Sequence, residues 1–261
     1  MLNASQRINF LTLSLGSLAL SIAAMAAGSD ESGPAWSKKG TDFPTACYNK
    51  KDWRECKPLQ VRSPDGKSVV VVEYRSNSEE PEIKTALVTV FSDGKKLGEV
   101  GPAGLVDDEI VWSPDSKAFF ITGNSNANAW DVVAVHRIDD PELGPGFVTG
   151  EVEKDMARSF PPCRAKYYHP DDCAHLAAHP HEYIGVLGVD WVDGSSAVVV
   201  MAEVPCSSYF GGIMCQVLGY EVEIPSGKIL KRMEPKEFKR LWQKSMAWKF
   251  LIPDPPEYEK N

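Results

Sequence analysis

Four histidines crowd into one short segment, and their side chains are the ones in this sequence best suited to chemistry. They are His169, His175, His179 and His181. His175 and His179 are four positions apart, so a helix would place both imidazoles on one face, as a divalent metal ion requires. Asp171 and Asp172 lie in the same segment and are oxygen donors. The pattern predicts a divalent-metal site on the segment from His169 to His181, with the four histidines as ligands.

A second interpretation of the same segment is a rigid exposed loop that binds no metal. The glutamate of the His-Glu-x-x-His motif is absent, and Pro180 would end a helix immediately after His179. Cys163 and Cys173 bracket the segment and would hold such a loop in place. The sequence favours this second interpretation, and both stay open.

No other stretch of the sequence has the residue pattern of a catalytic or cofactor site. A Gly-x-Ser-x-Gly elbow and a phosphate-binding glycine loop are both absent from the sequence, and no Ser or Cys has a local setting that marks it as activated. The formal net charge of −8 argues against general nucleic-acid binding, which needs cationic surface. We therefore predict no catalytic residue, no organic cofactor and no nucleic-acid partner, and a non-enzymatic protein is favoured.

The N-terminal residues have the pattern of a secretory signal peptide. Arg7 supplies the positive charge, Phe10 to Ala24 is apolar, and Ala24-Met25-Ala26 places small residues at the cleavage positions. The apolar run is shorter than the ~20 residues of a spanning helix. We predict cleavage near residue 27, a periplasmic or secreted location, and no transmembrane segment in the mature chain.

The cysteines support an oxidising compartment, because an even number in an exported chain is typical of a disulfide framework. The six are Cys47, Cys56, Cys163, Cys173, Cys206 and Cys215. They fall into three pairs separated by 9, 10 and 9 positions. We predict three local disulfides, one within each pair. A zinc-thiolate site is less favoured because no Cys-x-x-Cys pair occurs.

These candidate residues are set within a repeated phrase of strand, polar turn and apolar strand. Val61 to Lys67 reads Val-Arg-Ser-Pro-Asp-Gly-Lys, and Val111 to Lys117 reads Val-Trp-Ser-Pro-Asp-Ser-Lys, 50 positions later. A looser copy, Asp190 to Ser195, reads Asp-Trp-Val-Asp-Gly-Ser. Each copy precedes a run of apolar residues that predicts a buried strand. Four strands are predicted around each copy, and those of the second end with Gly146 to Thr149.

The repeated phrase resembles the WD40-like, TolB-type β-propeller repeat, in which an apolar strand ending in Trp precedes Ser-Pro-Asp-Gly-Lys. Val111 to Lys117 departs from it only at Ser116, the first copy has Arg62 in place of Trp, and the third has lost Ser-Pro. The resemblance implies propeller blades. Repeats of this kind occur in binding proteins, scaffolds and non-catalytic domains alike. Three blades are too few to close a ring and leave edges exposed. Three arrangements would remove these exposed edges: coverage by the N-terminal arm and the C-terminal helix, pairing of two chains in a homodimer, or the presence of further degenerate blades. The first arrangement is favoured.

The predicted fold class is therefore all-β, with about three four-stranded antiparallel blades and a C-terminal amphipathic helix. The predicted organisation is a signal peptide (1–27), an arm with a cysteine loop (28–57), a propeller-like domain (58–232) with an insertion (151–183), and a helix and tail (233–261).

The C-terminal segment is locally basic, with apolar residues at helical spacing from Phe238 to Trp248. One interpretation is a docking face for an anionic membrane or acidic partner. The other, which the apolar stripe favours, is a helix packed on the blades with its cationic face in solvent.

Besides a structural module that needs a partner chain, two functions remain open at this stage. The first is an exported, non-enzymatic binding or scaffold protein that recognises a protein, peptide or envelope ligand through its blade loops and the insertion. The second is a metal-binding protein or metal-dependent hydrolase built on the histidine segment.

Overall fold

The apolar runs that follow the repeated turns form the inner strands of three four-stranded antiparallel sheets. A computed structural model of the chain describes residues 37–43, 56–76, 84–103, 106–124, 132–140, 146–163, 169–204 and 213–246. The predicted signal peptide lies outside the described residues, as do Cys47, Cys206 and the end of the tail. The predominantly β class is confirmed.

Sheets 1 and 3 are each made of strands consecutive in the chain. Sheet 1 has the order β2 (Leu59–Arg62), β3 (Ser68–Ser76), β4 (Lys84–Ser92) and β5 (Lys95–Ala103). Sheet 3 consists of β9 (Gly185–Val192), β10 (Ala197–Glu203), β11 (Val217–Glu223) and β12 (Ile229–Met233).

Sheet 2 takes one strand from the N-terminal arm. Its order is β1 (Thr41–Asp42), β6 (Val106–Trp112), β7 (Ala118–Asn124) and β8 (Val132–Arg137). Thr41 pairs with Ile110, so the arm covers an edge of β6 that would otherwise be open.

The backbone N–H of Ser37 in the arm donates to both carboxylate oxygens of the fully buried Glu109, each at 3.1 Å. Lys39 Nζ lies 2.8 Å from the buried carboxylate of Asp190 in β9. The arm therefore contacts sheets 2 and 3.

Three α-helices complete the described structure: α1 (Gly146–Ala157), α2 (Pro170–Ala178) and α3 (Pro235–Trp242). Short 3₁₀ helices follow α2 and α3, at Pro180–Tyr183 and Gln243–Ser245. None of the described helices is both long and apolar enough to cross a bilayer.

The predicted strand Gly146 to Thr149 is wrong, because these residues begin α1. Val148, Val152 and Met156 are four positions apart and fully buried, so they form one face of a helix. This apolar period continues past residue 149 into the segment predicted to be an insertion. The fourth strand of sheet 2 comes instead from the arm.

The repeated turns are held by the same hydrogen bonds in the first two copies. The Ser63 hydroxyl donates to Asp65 Oδ1 at 2.7 Å, and Ser113 donates to Asp115 at the same distance. The hydrogen bond from Ser63 is the largest cause that lowers the pKa of Asp65, with a backbone N–H adding to it. The Ser and Asp of the phrase therefore serve the turn itself.

Consecutive sheets also contact each other through the repeat. The indole N–H of Trp112 donates to the Val61 carbonyl at 3.2 Å, and that of Trp191 donates to the Val111 carbonyl at 3.1 Å. The first contact joins sheets 1 and 2, and the second joins sheets 2 and 3. Each tryptophan is thus bonded to the preceding copy of the phrase.

The apolar core lies between these layers. One buried cluster joins sheets 1 and 2, a second joins sheet 2, α1 and sheet 3, and a third joins sheet 3 to α3. Phe238 of α3 is fully buried in the third cluster. The predicted packing of the C-terminal helix on the sheets is confirmed.

Candidate metal centre

The histidine segment begins with a capped helix. His169 Nδ1 accepts a hydrogen bond from the Asp171 backbone N–H at 3.3 Å, and the Asp172 carboxylate accepts one from the His169 N–H at 3.2 Å. Pro170 occupies the first helical turn, where its missing N–H has no cost. This capping box explains why α2 starts at residue 170. The capping box also gives His169 a structural role at the N-terminal end of α2, away from the other histidines.

The segment is attached to the body of the protein at several points. The predicted disulfide between Cys163 and Cys173 is confirmed, with Cα atoms 5.5 Å apart. Leu176 is buried in the cluster shared by sheets 2 and 3, and Tyr183 is packed against the same cluster. The backbone that carries the histidines is therefore held at α2 and again where it enters β9.

The other two predicted disulfides are only partly described. Cys56 and Cys215 each take part in a disulfide. Their predicted partners, Cys47 and Cys206, lie outside the described residues. Those two pairings stay predictions.

Three side chains converge where α2 gives way to the 3₁₀ helix. One possible ligand atom from each of His179, His181 and Glu182 lies within 4.8 Å of the other two, and all three side chains are exposed. Two imidazole nitrogens and a carboxylate oxygen are a ligand set that suits zinc, copper and nickel. Metal–ligand bonds of this kind are ~2.0–2.2 Å long.

His175 completes the cluster by contacting two of these groups. Its ring lies 4.7 Å from that of His179, between centroids, as the predicted four-residue spacing requires. Its Nε2 lies 2.8 Å from Glu182 Oε2. This hydrogen bond is the largest cause that lowers the pKa of Glu182 below its ordinary value. Glu182 is therefore ionised at neutral pH, as a carboxylate ligand must be.

The structure brings together three of the four histidines expected from the sequence, His175, His179 and His181, and adds Glu182. The His-Glu-x-x-His motif does not predict Glu182, because the motif places its glutamate inside the helix and Glu182 lies beyond Pro180. The succession His179-Pro180-His181-Glu182 does indicate that Glu182 lies near the histidines, because Pro180 starts a tight 3₁₀ turn. His169 and Asp171 form a separate contact, with His169 Nδ1 and Asp171 Oδ2 3.3 Å apart.

The three converging donors leave room in the coordination sphere of a four-coordinate ion. A closed structural zinc site has four protein ligands, whereas a site with three retains a position for water or another donor. The exposed position of these side chains makes that place accessible from solvent.

Comparison of the chain with protein-family models, with curated proteins and with solved structures found no match.

Proposed function

We propose that the protein is an exported, propeller-like binding protein whose ligand is a divalent transition-metal ion. His179, His181 and Glu182 bind the ion. His175 orients the Glu182 carboxylate through its hydrogen bond. The convergence of two imidazoles and one carboxylate within 4.8 Å carries this proposal.

The propeller-like part of the proposal is supported by the contacts between successive repeats. The same tryptophan-to-carbonyl hydrogen bond recurs between sheets 1 and 2 and between sheets 2 and 3. The turns meet as well, because the Asp65 backbone N–H donates to the Ser116 hydroxyl at 3.0 Å and Ser195 donates to Asp115 at 2.9 Å. A recurring contact between neighbouring four-stranded sheets is what stacked blades would produce.

The export part of the proposal rests on the N-terminal pattern and on the disulfide chemistry. Cys163 and Cys173 are bonded, and disulfides of this kind persist in oxidising compartments. A location outside the cytoplasm would also expose the histidine cluster to free metal ions.

Isothermal titration of the metal-free protein with zinc chloride tests the metal site. We expect one ion to bind per chain, and His179→Ala and His181→Ala each to weaken binding by about a hundredfold or more, because each removes a direct ligand and loss of a group that only supports a ligand already costs about tenfold to a hundredfold. The same titration with nickel and copper ranks the ions.

His169→Asn is the matched control for this titration. Asparagine retains a capping oxygen for α2, and His169 lies outside the converging cluster. Its zinc affinity should equal that of the wild type. Equal weakening by His169→Asn and His179→Ala would contradict the proposed ligands, as would the absence of saturable binding to the wild type.

A protein or peptide ligand is the second candidate function, and the exposed turns favour it. Asp65, Asp115 and Asp193 belong to three repeated turns, all three are exposed, and the turns lie along one rim of the stacked sheets because they contact each other. A photocrosslinker at Pro64 on this rim should capture a specific partner that one at Lys57, an exposed residue before the opposite end of β2, does not. Equal capture from both positions would contradict this candidate.

A further inference from the structure

The C-terminal helix presents a row of positive charge on a protein that is acidic as a whole. The residues from 228 to 246 contain seven Lys and Arg and two Glu, whereas the chain carries a net charge of −8. Four of these cations belong to α3 and the turn after it, and all are exposed: Lys236, Lys239, Arg240 and Lys244. We call them the basic stripe.

The orientation of the basic stripe is fixed by the packing of α3. Phe238 is fully buried against sheet 3, with Leu241 and Trp242 beside it in the same cluster. Gly219 of β11 leaves the space for the Phe238 ring, because a Cβ at this position would lie 2.1 Å from it. The apolar side of the helix is therefore used inside the protein, and only the cationic side is presented to solvent.

Neighbouring carboxylates do not neutralise the stripe. Glu237 pairs with Lys231 of β12 at 2.8 Å, and Glu234 lies 3.7 Å from Arg232. Both acidic residues of this segment are thus directed to cations of β12. In the described part of the chain no ion pair involves any member of the stripe.

We propose that the basic stripe adsorbs the protein to an anionic lipid bilayer. A bilayer surface needs only cations near its headgroups, and each Lys or Arg contributes independently. A tightly bound acidic protein would instead need buried apolar or aromatic anchors, and those of α3 are already packed on sheet 3. The acidic remainder of the protein is repelled by the same surface, so the molecule binds with α3 facing the lipid.

Adsorption of this kind is electrostatic and peripheral. The helix does not insert, because insertion would remove Phe238 from the core. Binding should therefore weaken as salt shortens the screening length from about 10 Å at 0.1 M to about 3 Å at 1 M. The inference does not depend on the metal site.

Co-sedimentation with vesicles tests the proposal. The probes are vesicles of pure phosphatidylcholine and vesicles with about one third phosphatidylglycerol, an anionic lipid. We expect the mature chain, without the predicted signal peptide (1–27), to sediment with the anionic vesicles only. Replacing all four stripe residues by Gln should reduce the partition coefficient by about a hundredfold or more, since each cation contributes severalfold.

A control variant carries four Lys→Gln substitutions at exposed positions outside the stripe. The positions are Lys57, Lys67, Lys95 and Lys117. Both variants change the net charge equally, and circular dichroism verifies that both are folded. The control should bind anionic vesicles within about threefold of the wild type, because its lost charges lie away from α3.

Three results would overturn the proposal. One is the absence of sedimentation with anionic vesicles, and another is an equal loss of binding in the two variants, which would show that net charge alone matters. The third is stripe-dependent binding to polyglutamate without binding to anionic vesicles, which would assign the stripe to an acidic polypeptide.

Discussion

Individual side chains in this protein take their roles from contacts that the sequence only partly predicts. The four-residue spacing of His175 and His179 correctly predicts neighbouring imidazoles, with His175 in α2 and His179 at its C-cap. Glu182 could not be placed in the same way, because it lies beyond Pro180 and reaches the cluster through a change of helix type. His169 looks equivalent to the other histidines in the sequence, yet the direction in which α2 starts makes it a cap.

Glu203 provides a prediction at the residue scale. Burial at the end of β10 raises its pKa from 4.5 to about 7. The folded state then holds the proton more tightly than the unfolded chain does. The stabilisation is complete below pH 4.5 and is lost as the pH rises to about 7. We expect the free energy of unfolding to fall by roughly 2–3 kcal/mol across this window because of Glu203.

Urea unfolding at several pH values measures this effect. Glu203→Gln should remove the loss between pH 5 and 7, since the amide does not titrate. Glu221→Gln on β11 is the control and should keep the wild-type profile. If the free energy of unfolding of Glu203→Gln depends on pH in the same way as that of the wild type, the buried Glu203 carboxyl is not the cause of the loss.

The helices and strands were more predictable than the side-chain contacts. The apolar run after each copy of the repeated phrase is confirmed as a strand, namely β3, β7 and β10, because β-branched and aromatic runs between polar turns are unambiguous. The exception is α1, whose first four residues satisfy a strand pattern. Its helical period becomes visible only when Val148, Val152 and Met156 are considered together.

The packing of α3 on sheet 3 yields a prediction at the scale of the element. Gly219→Ala would place a methyl group 2.1 Å from the Phe238 ring, which is fully buried and cannot move away cheaply. We expect a loss of about 2–3 kcal/mol in the free energy of unfolding, because the core is overpacked. Thermal and urea unfolding measure it.

Gly150→Ala is the matched control for this substitution. Gly150 lies within α1, and a Cβ there would meet no atom within 4 Å. Alanine should stabilise the helix by about 0.5–1 kcal/mol. Equal effects of the two substitutions would show that Phe238 does not limit the space at residue 219.

At the scale of the whole molecule, the order of the layers follows from the repeat, whereas the position of the arm does not. Each repeated phrase carries its own sheet, so three sheets were predictable. The pairing of β1 with β6 depends on contacts between residues far apart in sequence, such as Ser37 with Glu109. No local pattern indicates them.

The contact between sheets 2 and 3 gives a prediction for the whole stack. Trp191→Phe removes the indole N–H that donates to the buried Val111 carbonyl. We expect the free energy of unfolding to fall by about 2–3 kcal/mol, from the lost hydrogen bond and the smaller ring. A single cooperative transition at lower denaturant is the expected observation.

Trp242→Phe is the control, because the buried Trp242 Nε1 has no hydrogen-bond partner in the described structure. Its replacement should change stability by less than about 1 kcal/mol, since no hydrogen bond is lost and the smaller ring matters less at a half-buried position. A Trp242→Phe effect as large as that of Trp191→Phe would show that ring size, and not the bond between sheets, accounts for the loss.

An anomalous difference map from a zinc-soaked crystal tests the central claim most directly. The proposed site predicts one strong peak, about 2.0–2.2 Å from a nitrogen of His179, a nitrogen of His181 and a carboxylate oxygen of Glu182. The peak should be absent from crystals of His179→Ala. A map without a peak at this cluster, or with its main peak beside His169 and Asp171, would contradict the account.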